Sequence, residues 1–241
     1  GSPNGTGITV KARGTGNDPS YSSNPATLTN VNINGGTFTG NVMAIRLGEP
    51  DKNNTSPTNI NIKGANIAKS NNSGGVVNYL SGVTVDATDN YWDSANGPTH
   101  NGNTYNKTDQ GSTVIGAVTY TPWLKAAGGV SFAPVTNGAN KYASIQTAIN
   151  AANSGDTINV APGMFTERIV INKPLTLLGA TWNLSKNGYA VPANYQWDIT
   201  KETVINNPSG GEYNVVDIDD VTGVTFKGFI VQSLDIPSYQ N

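Results

Sequence analysis

A five-residue phrase, apolar-x-apolar-x-small, recurs along this chain and limits what it can fold into. It reads VNING at residues 31–35, INIKG at 60–64 and VTVDA at 83–87. It returns as LTLLG at 175–179 and VTFKG at 224–228. Alternation with a period of two turns one face inward, and a glycine at the end lets the chain turn a corner. An apolar residue often stands three positions after the small one, as do Phe38, Ile67, Trp182 and Val231. A second, less regular strand family reads ITV at 8–10, VMAI at 42–45, VVNYL at 76–80, IVI at 169–171 and VVDI at 215–218. The two families alternate through the first half of the chain and again over residues 169–226. Strands that alternate at fixed corners are what stacked coils require.

Residues 142–179 add a different signal. Ile145, Ala148, Ile149 and Ala152 recur at helical spacing, which gives one apolar helix face. Ser144 is the expected cap, and Gly155 follows the last turn. Three β-branched or leucine-rich runs come next: TINV at 157–160, RIVI at 168–171 and LTLL at 175–178. The succession SIQTAINAA, GDTINVAPGMFTE, PLTLLG resembles the opening of right-handed parallel β-helix proteins of the pectin-lyase-like superfamily. That resemblance implies a short helix plugging the open end of the first coil. It says little about activity, because folds of this kind carry many functions.

Earlier in the chain, DNYWDSANGP at 89–98 resembles the NWWGSxxGP-like segment that closes many bacterial β-helix domains, with Asp93 in place of the usual glycine. VIGAVTYTPWL at 114–124 then reads as a final strand with an aromatic lid. The chain thus divides into residues 1–124, the later coils and C-terminal cap of a β-helix, and residues 141–241, the capping helix and first coils of another. Residues 125–140, rich in Ala, Gly and Pro, read as a linker. The two halves are complementary, as in a unit cut from a tandem array or a circularly permuted β-helix. Closure within one chain is geometrically open: a linker of this length reaches about 50 Å, against about 24 Å for five stacked coils.

Charged residues make up 12% of the chain and the net charge is -2, so no basic surface exists to neutralise a nucleic acid. There is no cysteine, which excludes disulfides and Cys-ligated metal. No run is apolar and long enough to cross a membrane as a helix. Gly1-Ser2 has the look of a cloning scar. Residues 17–25, 48–57 and the aromatic insertion 182–200 read as exposed loops.

Enzyme motifs of the resembling families are missing. The G-x-x-D-F-I-F-G segment of pectin methylesterases has only GFIVQ at 228–232 as its nearest text, and Arg13, Arg46 and Arg168 stand in no Arg-Trp pattern. The Asn-Thr-Asp, Asp-Asp and Gly-His-Gly set of polygalacturonases is absent, and His100 is the sole histidine. No catalytic residue is therefore assigned. Asp217, Asp219 and Asp220 are weak candidate oxygen ligands for Ca2+, as are Asp86 and Asp89; a solvated outer face of a coil is the favoured reading. Trp92 could stack on sugar, but a structural place as the lid over the last coil is the better reading. Asn32, Asn34, Asn59 and Asn61 lie beside inward positions of equivalent strands; some are expected to stack in register as amide ladders, and the outward ones to keep the face wet. Asn-x-Ser/Thr triplets at Asn4, Asn106 and Asn183 are expected by chance.

These observations point to an all-β right-handed parallel β-helix with a short capping helix, present as two complementary part-solenoids. The expected role is structural: an extracellular or cell-surface protein whose copies stack head to tail as a filament, layer or matrix. The expected interface comprises Ile8, Val10, Val224, Phe226 and Val231. A polysaccharide-binding or polysaccharide-degrading protein is the alternative, with cell-surface polysaccharide as partner.

Overall fold

The structure is a computed structural model, and it describes residues 5–13, 26–181, 198–206 and 214–232. Gly1-Ser2, Asn4, the 17–25 loop, Trp182, Asn183 and most of the 182–200 insertion lie outside the described residues. Strands predominate, most of them in parallel sheets, so the chain is β-rich. It divides into two compact units: Gly1–Asn101 with Thr108–Phe132, and Gly102–Lys107 with Ala133–Asn241.

Unit one holds three parallel sheets. The first runs Thr6–Val10, Met43–Leu47, Val76–Asn78, Gly111–Ile115, Pro98–Thr99. The second runs Thr29–Asn34, Thr58–Lys63, Val85–Asp86, Val118–Thr119. The third pairs Thr37–Phe38 with Asn66–Ile67, and Tyr91 bridges onto Asn66. The pairing sets like side chains above like: Ile8 on Ile45, Ile45 on Val76, Val31 on Ile60 and Ile33 on Ile62. Ile45, Leu47, Ile62, Ile67, Val76 and Val85 are wholly buried. Each such side chain contributes roughly 1.5–3 kcal/mol through removal from water. Between strands of the second and third sheets the corner falls on Gly64, whose φ of 68° a side-chain-bearing residue adopts only under strain.

Corners in unit one are held by buried asparagines. Asn90 donates from Nδ2 to the Ile62 carbonyl at 2.6 Å and the Ala87 carbonyl at 2.8 Å, and its Oδ1 accepts the Ala65 N–H at 2.9 Å. Asn78 donates to the Val83 and Ala117 carbonyls and accepts the Leu80 N–H. A buried amide with all these groups paired stitches neighbouring strands where the ladder is interrupted.

One margin of unit one is closed by aromatics. Trp92 and Trp123 have no exposed surface. The Trp123 indole N–H donates to the Ala95 carbonyl at 2.9 Å, and its ring meets Phe132 edge-on at 5.7 Å. Trp123–Leu124 pairs antiparallel with Ser131–Phe132, which ends the parallel order there.

Unit two begins with antiparallel strands and becomes parallel. Its main sheet runs Asn140–Tyr142, Val135–Asn137, Thr157–Val160, Thr176–Leu178, Thr225–Lys227, with the first two pairings antiparallel and the last two parallel. Two further parallel sheets join Gly163–Thr166 to Thr203–Asn206 and Phe229–Gln232, and Ile169–Ile171 to Val216–Ile218. Within the stretch read as a linker, Ser131–Phe132 and Val135–Asn137 form strands. Their alternating apolar residues find partners despite the surrounding Gly and Pro.

The α-helix Ile145–Ala151 packs against these first strands and buries Ile145, Ala148 and Ile149. Ser144 caps it as the sequence predicts, its Oγ accepting the Thr147 N–H at 3.2 Å. The helix stops at Ala152, earlier than Gly155 implied, where the backbone turns extended (ψ 150°), and Lys173 Nζ then satisfies the last carbonyls, Ala152 at 3.1 Å and Asn150 at 3.3 Å. At the other helix end, buried Glu167 accepts four hydrogen bonds, from the Ser144 and Thr104 hydroxyls and the Ile145 and Gln146 N–H groups. A carboxylate there meets both the unpaired N–H groups and the positive end of the helix dipole. Residues 102–107 line this margin of unit two: Asn106 N–H donates to Met164 at 2.7 Å and the Tyr105 ring rests on Phe165 at 5.3 Å.

Candidate functional site

The parallel sheets of each unit leave three strands unpaired on one side among the described residues. In unit one they are Thr6–Val10, Thr29–Asn34 and Thr37–Phe38. In unit two they are Val216–Ile218, Thr225–Lys227 and Phe229–Gln232. Each edge strand offers N–H and C=O groups with no strand beyond it.

Burial changes sharply at these strands. Ile8 and Val10 are half-exposed, whereas Ile45 and Leu47, their register partners, show no surface. Val31, Ile33 and Phe38 are likewise half-exposed beside buried Ile60, Ile62 and Ile67. In unit two, Ile218 is 51% and Val231 47% exposed, while their partners Ile171 and Ile205 are 0% exposed. Phe226 lies over buried Leu177, and Phe226 and Phe229 stack at 4.4 Å. Val224, half-exposed, precedes that strand. Ile8 and Val10 therefore belong to one edge, and Val224, Phe226 and Val231 to the other.

The two edges share a local plan. A strand ends at a left-handed glycine and a further strand follows: Thr29–Asn34, Gly35, Thr37–Phe38 in one and Thr225–Lys227, Gly228, Phe229–Gln232 in the other. Polar ladders run beside the apolar columns. Asn61 Nδ2 donates to Asn32 Oδ1 at 3.2 Å, Asn59 Nδ2 to Asn30 Oδ1 at 2.5 Å, and the Thr58 hydroxyl to Thr29 at 3.1 Å. Two amide rungs of the expected kind thus form, one of them to Asn30, which the pattern did not name, while Asn34 has Lys63 as its register partner.

Charge at the unit-one edge is locally paired. Arg13 donates to both Glu49 oxygens, at 2.8 and 2.7 Å, and Lys11 adds a bond at 3.1 Å. The Arg13 guanidinium holds the Glu49 carboxyl down at about 2. In unit two, Asp217 is bonded to Asn214 and Arg168, and both keep its carboxyl below the usual range. Asp219 and Asp220 are exposed, and Asp220 sits in a left-handed turn with φ 46°. Among the described residues no three acidic, His or Cys side chains cluster in a way that could hold a metal ion. Asp86 is engaged by Thr88 and Lys63. His100 faces the Tyr120 hydroxyl at 3.1 Å, and burial lowers its pKa.

Trp92, the candidate for sugar stacking, is wholly buried and takes its structural role. Sequence reasoning passed over Glu167 and the corner asparagines. A single acid after an alternating strand is a common text, and only the fold brings Glu167 under Ser144. Comparison with protein-family models, curated proteins and solved structures finds no match for this chain.

Proposed function

We propose that both units are portions of right-handed parallel β-helices of the pectin-lyase-like kind, and that copies of the chain stack head to tail. The protein is then an extracellular or cell-surface structural component, building a filament, layer or matrix. One observation supports the reading: among the described residues, three parallel edge strands on each unit have no strand beyond them, and their apolar columns are buried one strand further in. The fitting occupant of one edge is the other edge, from a second copy. Val216–Ile218 would meet Thr6–Val10, Thr225–Lys227 would meet Thr29–Asn34, and Phe229–Gln232 would meet Thr37–Phe38. Such a contact joins unlike surfaces, so it propagates unless it closes on itself. It would pair the free backbone groups and bury Ile8, Val10, Phe226 and Val231, each worth roughly 1.5–3 kcal/mol when fully covered.

Electron microscopy and light scattering across a concentration series test this. The wild type is expected to form elongated assemblies that shorten on dilution. Ile8→Asp with Val10→Asp is expected to abolish them while leaving circular dichroism unchanged. Compact monomers at every concentration would refute head-to-tail stacking and favour a closed, permuted monomer.

A further inference from the structure

One cation beside the unit-one edge has no counter-charge. In Met43–Leu47, Ile45 and Leu47 are wholly buried. Arg46 between them belongs to the outward face by strand alternation, and it keeps part of its surface. Arg13 pairs with Glu49 and Arg168 with Asp217, but Arg46 forms no ion pair among the described residues. Its Nε is buried and meets no acceptor there. Its register neighbours, Thr9 on the edge strand and Val77 further in, carry no charge. A half-buried guanidinium in this position has lost hydration without gaining a partner.

The unit-two edge holds acids in the corresponding column. Val216 and Ile218 lie over buried Ile169 and Ile171, and Asp217 between them lies over Val170 on the outward face. Asp219 and Asp220 follow, both exposed. On the unit-one side, Lys11 and Arg13 follow the edge strand, and both are bonded to Glu49. Basic groups thus predominate beside Thr6–Val10 and acidic groups beside Val216–Ile218, a complementary pair of surfaces.

We propose that, where two copies stack, Asp217 of one copy pairs with Arg46 of the next and sets the register: Val216 on Ile8, Asp217 on Thr9 and Ile218 on Val10. This rests on the head-to-tail stacking proposed above and adds the contact that selects one alignment.

Packing favours the same alignment. A slip of one residue would turn Asp217 into the core. A slip of two leaves either Val10 against Asp220 or Ile8 against Asn214. Only the proposed register covers both Ile8 and Val10 with apolar side chains. Asp217 and Arg46 are then two strand spacings apart, about 9–10 Å between backbones. The long arginine side chain closes that span over the short side chain of Thr9. Asp217 already accepts from Arg168 and Asn214, and a carboxylate has about four acceptor sites, so it can bridge two guanidinium groups.

A double-mutant cycle on the critical concentration for assembly, read by light scattering, tests the pair. Arg46→Gln and Asp217→Asn should each raise that concentration about tenfold, and together also about tenfold rather than a hundredfold. Arg46→Gln and Asp219→Asn should instead add. Rising salt should weaken wild-type assembly more than assembly of the Arg46→Gln, Asp217→Asn double variant. Circular dichroism checks the fold of each variant. Should Arg46→Gln fail to fold, Arg46→Lys replaces it in the cycle, with a smaller expected effect because the planar fork is lost. Wild-type protein that stays monomeric at every concentration would overturn the stacking and this pair with it. Assembly indifferent to Arg46→Gln, additivity with Asp217→Asn, or coupling to Asp219 in place of Asp217 would overturn the register and leave the stacking standing.

Discussion

The helix Ile145–Ala151 and the strand Phe229–Gln232 stand at opposite margins of unit two, and they treat apolar side chains in opposite ways. Under the helix, Ile145 and Ile149 are buried and Glu167 satisfies the first N–H groups. At the strand, Val231 keeps 47% of its surface and Phe229 is half-exposed. Unit one repeats the contrast, with Trp92 and Trp123 sealed at one margin and Ile8 and Val10 half-exposed at the other. The same strand types occur at both margins, so hydrophobicity does not separate them. What differs is a dedicated cover, helical in one unit and aromatic in the other. An edge without a cover is either a liability or an interface.

The largest expected effect lies at a closed margin. Ile149→Asp places a charge under the helix and should destabilise unit two by several kcal/mol, seen as a fall in its thermal midpoint. An unchanged midpoint would show that the helix is not a cover. Glu167→Ala leaves the Ile145 and Gln146 N–H groups and two hydroxyls without their acceptor. It should cost a few kcal/mol, at about 1–3 kcal/mol for a buried donor left without its acceptor.

The comparison sharpens with one substitution made at two depths. Ile45→Ala should cost about 2–5 kcal/mol by chemical denaturation, as for other buried truncations. Ile8→Ala, at the paired edge position, should cost clearly less in dilute protein. Equal costs would mean that the edge is already covered.

The smallest effect is on pH. The Glu49 carboxyl is held at about 2, below its ordinary value of 4.5, so its ionised form favours the folded state. That contribution is complete above the ordinary value and disappears as pH falls through about 2. Glu49→Gln should therefore flatten the dependence of unit-one stability on pH across this window.

Much of the strand order was legible because apolar-x-apolar-x-small is a backbone requirement as well as a composition. Gly64 and Gly228 mark corners in sequence and in structure. The helix cap at Ser144 was equally legible, because its signal is local. Contacts between distant segments were not. Nothing in the text around Asn90 says that its amide will bridge Ile62 and Ala65, 28 and 25 residues away. Residues 102–107 carry no strand or helix signal, yet Tyr105 and Asn106 pack and bond within unit two. The candidate edges were found from the strand families.

Hydrogen exchange at the edge-strand amides of Thr6–Val10 and Phe229–Gln232 tests head-to-tail stacking most directly, measured from dilute to concentrated protein. Stacking predicts fast exchange when dilute and concurrent protection of both strands as concentration rises, with Met43–Leu47 protected throughout. Exchange at these two edges that does not change with concentration would contradict it.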